Sequence, residues 1–343
     1  MKHFFKTQKI WIICFSIITI ITLALLLIKT DYELYSPACL TKVESFIEIN
    51  QTEETEDEAN ISTVAIYSFP NTSVFNYIIG RINPFADLYK ASKDTNTSNE
   101  YIVAQGNLHK NLSITNAIIS AYKEAGYEVR TNYRGYTITT ITNYCQSDIE
   151  IGDIITMING VKLTEDTDVG KLIKDLSSAG AVNFNAKIIR DNKEMFINLL
   201  YNDEGKFGFA GESAYTYPTI VDGPQFKIDK VNTLGPSGGL MQALYVYEQL
   251  TGCKLTKNLK IAGTGTIDAN GNAGLIGGMK QKIYIANASD VDVFFVPVDM
   301  SYDTEENQYK NYNEAKEAME TLAKFGQKDM KIYPVRSLAD IIS

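Results

Sequence analysis

The sequence predicts an α+β protein made of three pieces in tandem: an N-terminal transmembrane helix, a β-rich module and a mixed α/β domain. Three observations carry that expectation. Ile10–Ile28 is one charge-free, mostly apolar run. Residues 134–200 alternate β-branched stretches with Gly and Asn turns around a single helical pattern. From about residue 203 onward, strand and helix patterns alternate in a mixed α/β order. The expected boundaries are a tail at 1–9, the span at 10–28, an N-terminal segment at 31–127, the β-rich module at 128–202 and the last domain at 203–343.

The apolar run "IWIICFSIITIITLALLLI" is long enough at ~1.5 Å per residue to match a bilayer's hydrocarbon core. Lys2, Lys6 and Lys9 precede it, which predicts a cytoplasmic N-terminus. It ends in Lys29-Thr30-Asp31 with no small-residue cleavage site, which favours an uncleaved signal anchor over a cleaved signal peptide. A single-pass location in the cell membrane follows, with everything after residue 30 extracytoplasmic. Residues 31–60 read as a strand or two and then an acidic run, Gln51–Asn60, expected to be a solvated spacer. Ile61–Phe69 is rich in β-branched and aromatic residues and predicts a strand. Residues 90–104 are polar and predict a loop. Ser113–Gly126 predicts a helix with Ser113 as N-cap, apolar positions at Ile114, Ala117, Ile118 and Ala121, and Gly126 as the stop.

The β-rich module contains "GDIITMING" (Gly152–Gly160), a helix around Val169–Leu176, and strands at 182–190 and 194–200 joined by Asp191-Asn192-Lys193. This order and the "GDIITMING" phrase resemble a PDZ domain. The resemblance implies a groove where an extended peptide adds to a sheet edge and backbone amides hold its C-terminal carboxylate. Gly135, Tyr136 and Thr137, after Arg134, stand where that loop is expected. The alternative is a module that only packs against its neighbour. "NYCQSDI" replaces the family's usual small-residue loop.

Composition narrows the function. There are 32 Lys and Arg against 41 Asp and Glu, a net charge of −9, which disfavours nucleic acid as a partner. The cysteines at 14, 39, 145 and 253 have no metal spacing, and the only histidines are His3 and His109, so no metal site is expected. A Cys39–Cys145 disulfide and isolated thiols both remain open. No Gly-x-x-x-x-Gly-Lys-Ser/Thr loop occurs, so no P-loop ATPase module and no nucleotide cofactor is encoded here.

The chemistry centres on "TLGPSGGLMQALYVYEQLTG" (Thr233–Gly252). Gly235, Pro236, Ser237 and Gly238 form a tight turn entering a helix with an apolar stripe at Leu240, Ala243, Leu244, Tyr247 and Leu250. Free N–H groups and the positive end of the helix dipole point at such a turn, so an oxyanion beside Ser237 would be stabilised. A capping serine or a phosphate site would use the same turn. A serine nucleophile needs a base. His3 is assigned to the far side of the membrane and His109 has no evident partner, so a lysine is sought. In "GGMKQKIYIANAS", Met279, Lys282, Ile283 and Ala286 share one helical face, whereas Lys280 faces with Tyr284 and Asn287. Lys282 is the inward lysine, and burial would lower its pKa toward neutrality.

Residues 221–300 resemble the proteolytic domain of Lon proteases, which use a Ser-Lys dyad. "GPSGG" is similar to the family's GPSAG and "LIGGMKQK" to its IGG-x-K-x-K segment. "AGTGTI" is similar to the strand whose threonine orients the lysine. The resemblance implies nucleophile Ser237, base Lys282, orienting residue Thr264, and an oxyanion turn of Gly235, Pro236 and Gly238. The layout as a whole resembles membrane-anchored Lon-like proteases of Gram-positive bacteria, which implies ATP-independent cleavage of exported peptides or proteins. Gly238 replaces the usual alanine, and Leu234 stands where ATP-dependent members carry an aspartate. The alternative reading is a tethered, catalytically inactive peptide-binding scaffold.

Overall fold

The computed structural model describes residues 2–50, 60–92, 98–181, 183–202, 205–229, 233–252, 255, 259–326 and 329–343, the side chains of 2–8, 10 and 99 excepted. Most of the acidic run Gln51–Asn60, and Cys253, lie outside the described residues. The chain opens with helix α1 (Lys2–Leu27), strand β1 (Tyr32–Lys42), a 3-10 turn (Val43–Ser45) and β2 (Ile47–Asn50). Next come β3 (Ile61–Phe69), α2 (Val74–Ile82), β4 (Asp87–Lys90) and the 26-residue α3 (Asn99–Glu124). The middle of the chain holds β5 (Val129–Arg130), β6 (Tyr133–Ile141), β7 (Ile154–Ile158), β8 (Val161–Lys162), α4 (Val169–Ser178), β9 (Phe184–Arg190), β10 (Lys193–Leu199) and β11 (Phe209–Tyr215). The last part comprises β12 (Thr219–Ile220), β13 (Gln225–Ile228), α5 (Gly239–Thr251), β14 (Ile261–Gly263), β15 (Thr266–Ile267), β16 (Ala273–Gly274) and α6 (Met279–Ala288). It closes with β17 (Val293–Pro297), α7 (Glu305–Gln308), α8 (Lys310–Ala323), β18 (Lys331–Val335) and α9 (Ala339–Ile342).

Two compact units emerge, Met1–Ala38 with Ile66–Ser92, and Cys39–Ala65 with Lys93–Ser343. In the smaller one, Tyr32–Tyr35 of β1 pair antiparallel with Asp87–Lys90 of β4. Helix α2 is capped there by Ser73, whose Oγ accepts from Asn76 N at 3.2 Å.

Here the expected transmembrane helix is corrected. Among the described residues no helix is long and apolar enough to cross a membrane. Helix α1 does form, over Lys2–Leu27. Ser16, Thr19 and Thr22 interrupt its apolar run, and the hydroxyls of Thr19 and Thr22 turn back to the carbonyls of Phe15 and Ile18, each at 2.9 Å. The signal anchor and the single-pass location with a cytoplasmic N-terminus fall with the span. The observed class is mixed α/β.

The larger unit contains two cores. In the β-rich module, strands run in the order β10-β9-β7-β6-β11, all antiparallel, with β8 hairpinned onto β7. The "GDIITMING" phrase now has physical content. Gly152 sits at φ +93°, where an L side chain is strained. Asp153 is buried; it accepts from Glu150 N at 2.8 Å and binds Arg190 through Nε at 2.8 Å and Nη2 at 2.7 Å. Ile155 and Ile158 enter a core with Ile138, Phe184 and Ile188. Asn159 and Gly160, both at positive φ, turn the chain from β7 into β8. β11 extends this sheet past residue 202.

In the second core, β18, β17, β14 and β3 form a parallel run, with Ile261 opposite both Val293 and Ile61. Val293 and Phe295 pack toward α3 and α5, while Phe294 and Val296, out of phase, are fully buried on the other face, where α8 meets β17 and α6. Leu240, Ala243 and Leu244 of α5 have no exposed surface and pack with Ile114, Ala117, Ile118 and Ala121 of α3. Each leucine so buried stabilises the fold by about 1.5–3 kcal/mol.

Two further expectations change. α3 begins at Asn99, capped by Ser98 and not by Ser113, so the end of the expected 90–104 loop is helix. Its polar first half is held by the β-rich module instead of by an apolar face. The Tyr101 hydroxyl donates to the Ile141 carbonyl at 3.0 Å, and Gln105 Nε2 donates to Thr139 O at 2.8 Å. Cys39 and Cys145 are both free thiols, so the disulfide does not form.

Candidate active site

Four segments meet at Ser237. Gly235 adopts φ +88°, which turns the chain into α5, and its N–H donates to Gly106 O of α3 at 2.9 Å. Ser113, far from capping anything, lies mid-helix and donates from Oγ to Pro236 O at 2.8 Å. The Ser237 carbonyl accepts twice, from Gly265 N and from Thr264 Oγ1, each at 2.9 Å. Gly239 N donates to Pro236 O at 3.2 Å and Leu240 N to Gly265 O at 3.1 Å. The N–H groups of Ser237 and Gly238 donate to no backbone carbonyl among the described residues, so the pair is available to an incoming oxyanion. α5 begins at Gly239 with Gly238 as its cap, which places Ser237 immediately before the dipole's positive end.

Lys282 arrives from α6, a helix buried along most of its surface and entered through Gly278 at φ +69°. Its side chain is 2 % exposed. Nζ lies 2.7 Å from Ser237 Oγ and 2.8 Å from Thr264 Oγ1, and Thr264 has no exposed surface. Burial alone pushes the lysine pKa down from 10.5 to about 7. A neutral amine has two N–H donors and one lone pair. Thr264 donates its own proton to Ser237 O and so presents an acceptor to one Nζ–H. That leaves the lone pair for the Ser237 hydroxyl, the arrangement a general base requires. Lys280 points elsewhere and pairs with Glu317 of α8 at 2.9 Å.

Ser237, Lys282, Thr264, Gly235, Pro236 and Gly238 therefore converge. Gly135, Tyr136 and Thr137 do not form an open edge. β6 lies between two neighbours, with Gly135–Thr137 paired to Glu212–Ala214 of β11 and Tyr136 and Thr137 also paired to Ile155 and Ile154 of β7. β11 is the end strand of that sheet. His109 has a partner that the sequence did not suggest, Glu212 at 3.3 Å, and does not serve the nucleophile.

A cleft of about 710 Å³ opens beside Pro236, with Glu212, Asn116, Asp268, Asp299, Arg336 and Asp340 among its walls. A second, smaller recess of about 40 Å³ touches Ser237 itself and includes Thr63 and Gln242. Thr63 was invisible in the sequence and Ser113 was read only as a helix cap; long-range packing brings both to the turn, whereas Gln242 lies one helical turn beyond Gly238, whose carbonyl accepts from its N–H at 2.9 Å. No cluster of metal ligands occurs among the described residues.

Comparison with known families agrees with this geometry. Residues 227–342 match the model of the Lon protease (S16) C-terminal proteolytic domain, and that range contains Ser237, Thr264 and Lys282. A comparison with curated proteins gives no match. The matched domain makes the chain a serine peptidase of the Ser-Lys type.

Proposed function

We propose that the chain is an endopeptidase that cuts polypeptides without ATP, using Ser237 and Lys282, and that the PDZ-like module helps hold the substrate. The observation that carries this reading is the 2.7 Å contact between the Ser237 hydroxyl and a buried amine whose pKa lies near neutrality. Neutral Lys282 accepts the Oγ proton as Oγ bonds to the scissile carbonyl carbon, and the carbonyl π electrons move onto oxygen. The N–H groups of Ser237 and Gly238 hold that oxyanion. Collapse breaks the C–N bond, and the Lys282 ammonium gives its proton to the departing amine. Water then attacks the acyl-enzyme, with Lys282 again taking and returning the proton.

Turnover without ATP is supported by the lack of any P-loop motif in the 343 residues. Substrate holding by the module is supported by β11, which has a neighbour on one side only and sends Glu212 into the cleft beside Pro236. An extended peptide added there would run toward the nucleophile.

The test is hydrolysis of a fluorogenic peptide by the full chain. Ser237→Ala and Lys282→Met should abolish turnover, whereas Lys280→Ala should retain it within about twofold, as expected for a largely exposed ion pair. A Ser237→Ala enzyme with undiminished turnover would remove the mechanism. A photoreactive peptide should label β11; labelling confined to the opposite edge, β10, would remove the role given to the module.

A further inference from the structure

We propose that Gly238, Thr63 and Gln242 form a small polar subsite for the residue that contributes the scissile carbonyl, favouring serine and excluding large apolar side chains. This rests on the endopeptidase reading above and gives it a substrate class.

The recess beside Ser237 is bounded by Thr63, Val64 and Ala65 of β3, by Thr233–Gly235, Ser237 and Gly238 of the turn, and by Gln242 of α5, with Thr41, Phe46 and Lys110 completing its walls. Lys282 and Thr264 are not among its walls, so it is separate from the proton-transfer groups. Thr63 is 6 % exposed and Gln242 is 3 % exposed. Yet Thr63 Oγ1 and Gln242 Oε1 have no hydrogen-bond partner among the described residues. Buried polar atoms are nearly always paired, and two unpaired ones lining one recess at a nucleophile describe a ligand.

The chemistry of that ligand follows from the inventory of groups. Gln242 Oε1 only accepts, while the Thr63 hydroxyl can donate. A single hydroxyl satisfies both, donating to Oε1 and accepting from Oγ1. Size agrees. A volume of about 40 Å³ is a few times the ~10–15 Å³ one water needs, room for a short polar side chain such as a hydroxymethyl.

Position 238 keeps the recess open. Its backbone, φ −91° and ψ −10°, is open to any residue, so conformation does not demand glycine. A Cβ there would project to 3.2 Å from Gln242 Nε2 and 3.4 Å from Thr63 Oγ1, so it would take up room between the two and push the Gln242 amide by a few tenths of an ångström. The side chain next to the attacked carbonyl lies within two bonds of the reacting carbon, which places it at this recess.

The experiment profiles the full chain against matched peptides that differ only in the residue before the scissile bond. Expected kcat/KM is roughly tenfold higher for serine than alanine, and lower again for leucine by at least about tenfold. Gln242→Met, which keeps volume but removes the acceptor, and Thr63→Val, which removes the hydroxyl, should bring the serine-to-alanine ratio to about 1. Gly238→Ala should shift preference toward glycine. Peptide phosphonates with hydroxymethyl or isobutyl side chains, followed by mass spectrometry of the Ser237 adduct, read the same subsite without turnover. Preferential labelling by the hydroxymethyl reagent with no peptide cleaved would keep the subsite and sink the endopeptidase reading. Cleavage after leucine as fast as after serine would overturn the subsite and leave the endopeptidase standing. A serine-to-alanine ratio unchanged in both Gln242→Met and Thr63→Val would also overturn it, the recess then holding only water.

Discussion

Replacing Lys282 by methionine should destroy catalysis and yet stabilise the fold, by an amount that depends on pH. The lysine titrates at 10.5 in the unfolded chain and at about 7 in its buried native position. Below pH 7 it is protonated in both states, and the native state alone bears the cost of a buried ammonium. Between pH 7 and 10.5 the unfolded state holds the proton and the native state does not, so wild-type stability rises with pH. The slope is about 1.4 kcal/mol per pH unit, which amounts to about 3 kcal/mol between pH 7 and 9. Methionine has similar length and no charge, so Lys282→Met lacks this dependence. Urea unfolding of wild type and variant at pH 6 and pH 9 should show the variant's advantage shrinking by about 3 kcal/mol. In parallel, wild-type kcat/KM should rise through a single limb near pH 7 and stand roughly tenfold below its plateau at pH 6. A stability difference that does not change with pH, or an activity limb above pH 9, would show an amine in contact with solvent and refute the argument.

Three other outcomes follow from the same geometry. Thr264→Val removes the acceptor that turns the Lys282 lone pair toward Ser237; kcat should fall about 100-fold with KM little changed, and Thr264→Ser should restore most of it. Arg190→Ala leaves the Asp153 carboxylate buried without its counter-charge, so the β-rich module should lose about 3–5 kcal/mol, measured as a lowered urea midpoint. Gly239→Ala would drive a Cβ into Ser113 Oγ and within 2.9 Å of Ile267 Cγ2, so a stability loss of about 1–3 kcal/mol accompanied by impaired acylation is expected from thermal unfolding and from labelling of Ser237.

Much of the catalytic centre was legible in the chain because its parts are local patterns. The Gly235–Gly239 turn into an apolar-periodic helix announced an exposed serine at a helix entrance. The face shared by Met279, Lys282, Ile283 and Ala286 separated the buried lysine from Lys280. Elsewhere local pattern misled. Polar residues 99–104 read as loop because the partners that hold their helix, Ile141 and Thr139, lie about 40 positions away. The carboxylate-holding amides were expected at Gly135–Thr137, and nothing nearby in sequence shows that β11 and β7 pair with that stretch.

By itself, then, the amino-acid sequence singled out Ser237 and Lys282, since turn residues and helix periodicity act over a few positions, and pointed to Thr264 through a resemblance. Tertiary structure alone decided that Ser113 bonds Pro236, that His109 belongs to Glu212, and that Thr63 and Gln242 flank the nucleophile unpaired. The contacts of Ser113 and His109, and the approach of Thr63 to Ser237, join groups more than 100 residues apart, and only the close packing of a folded interior selects them.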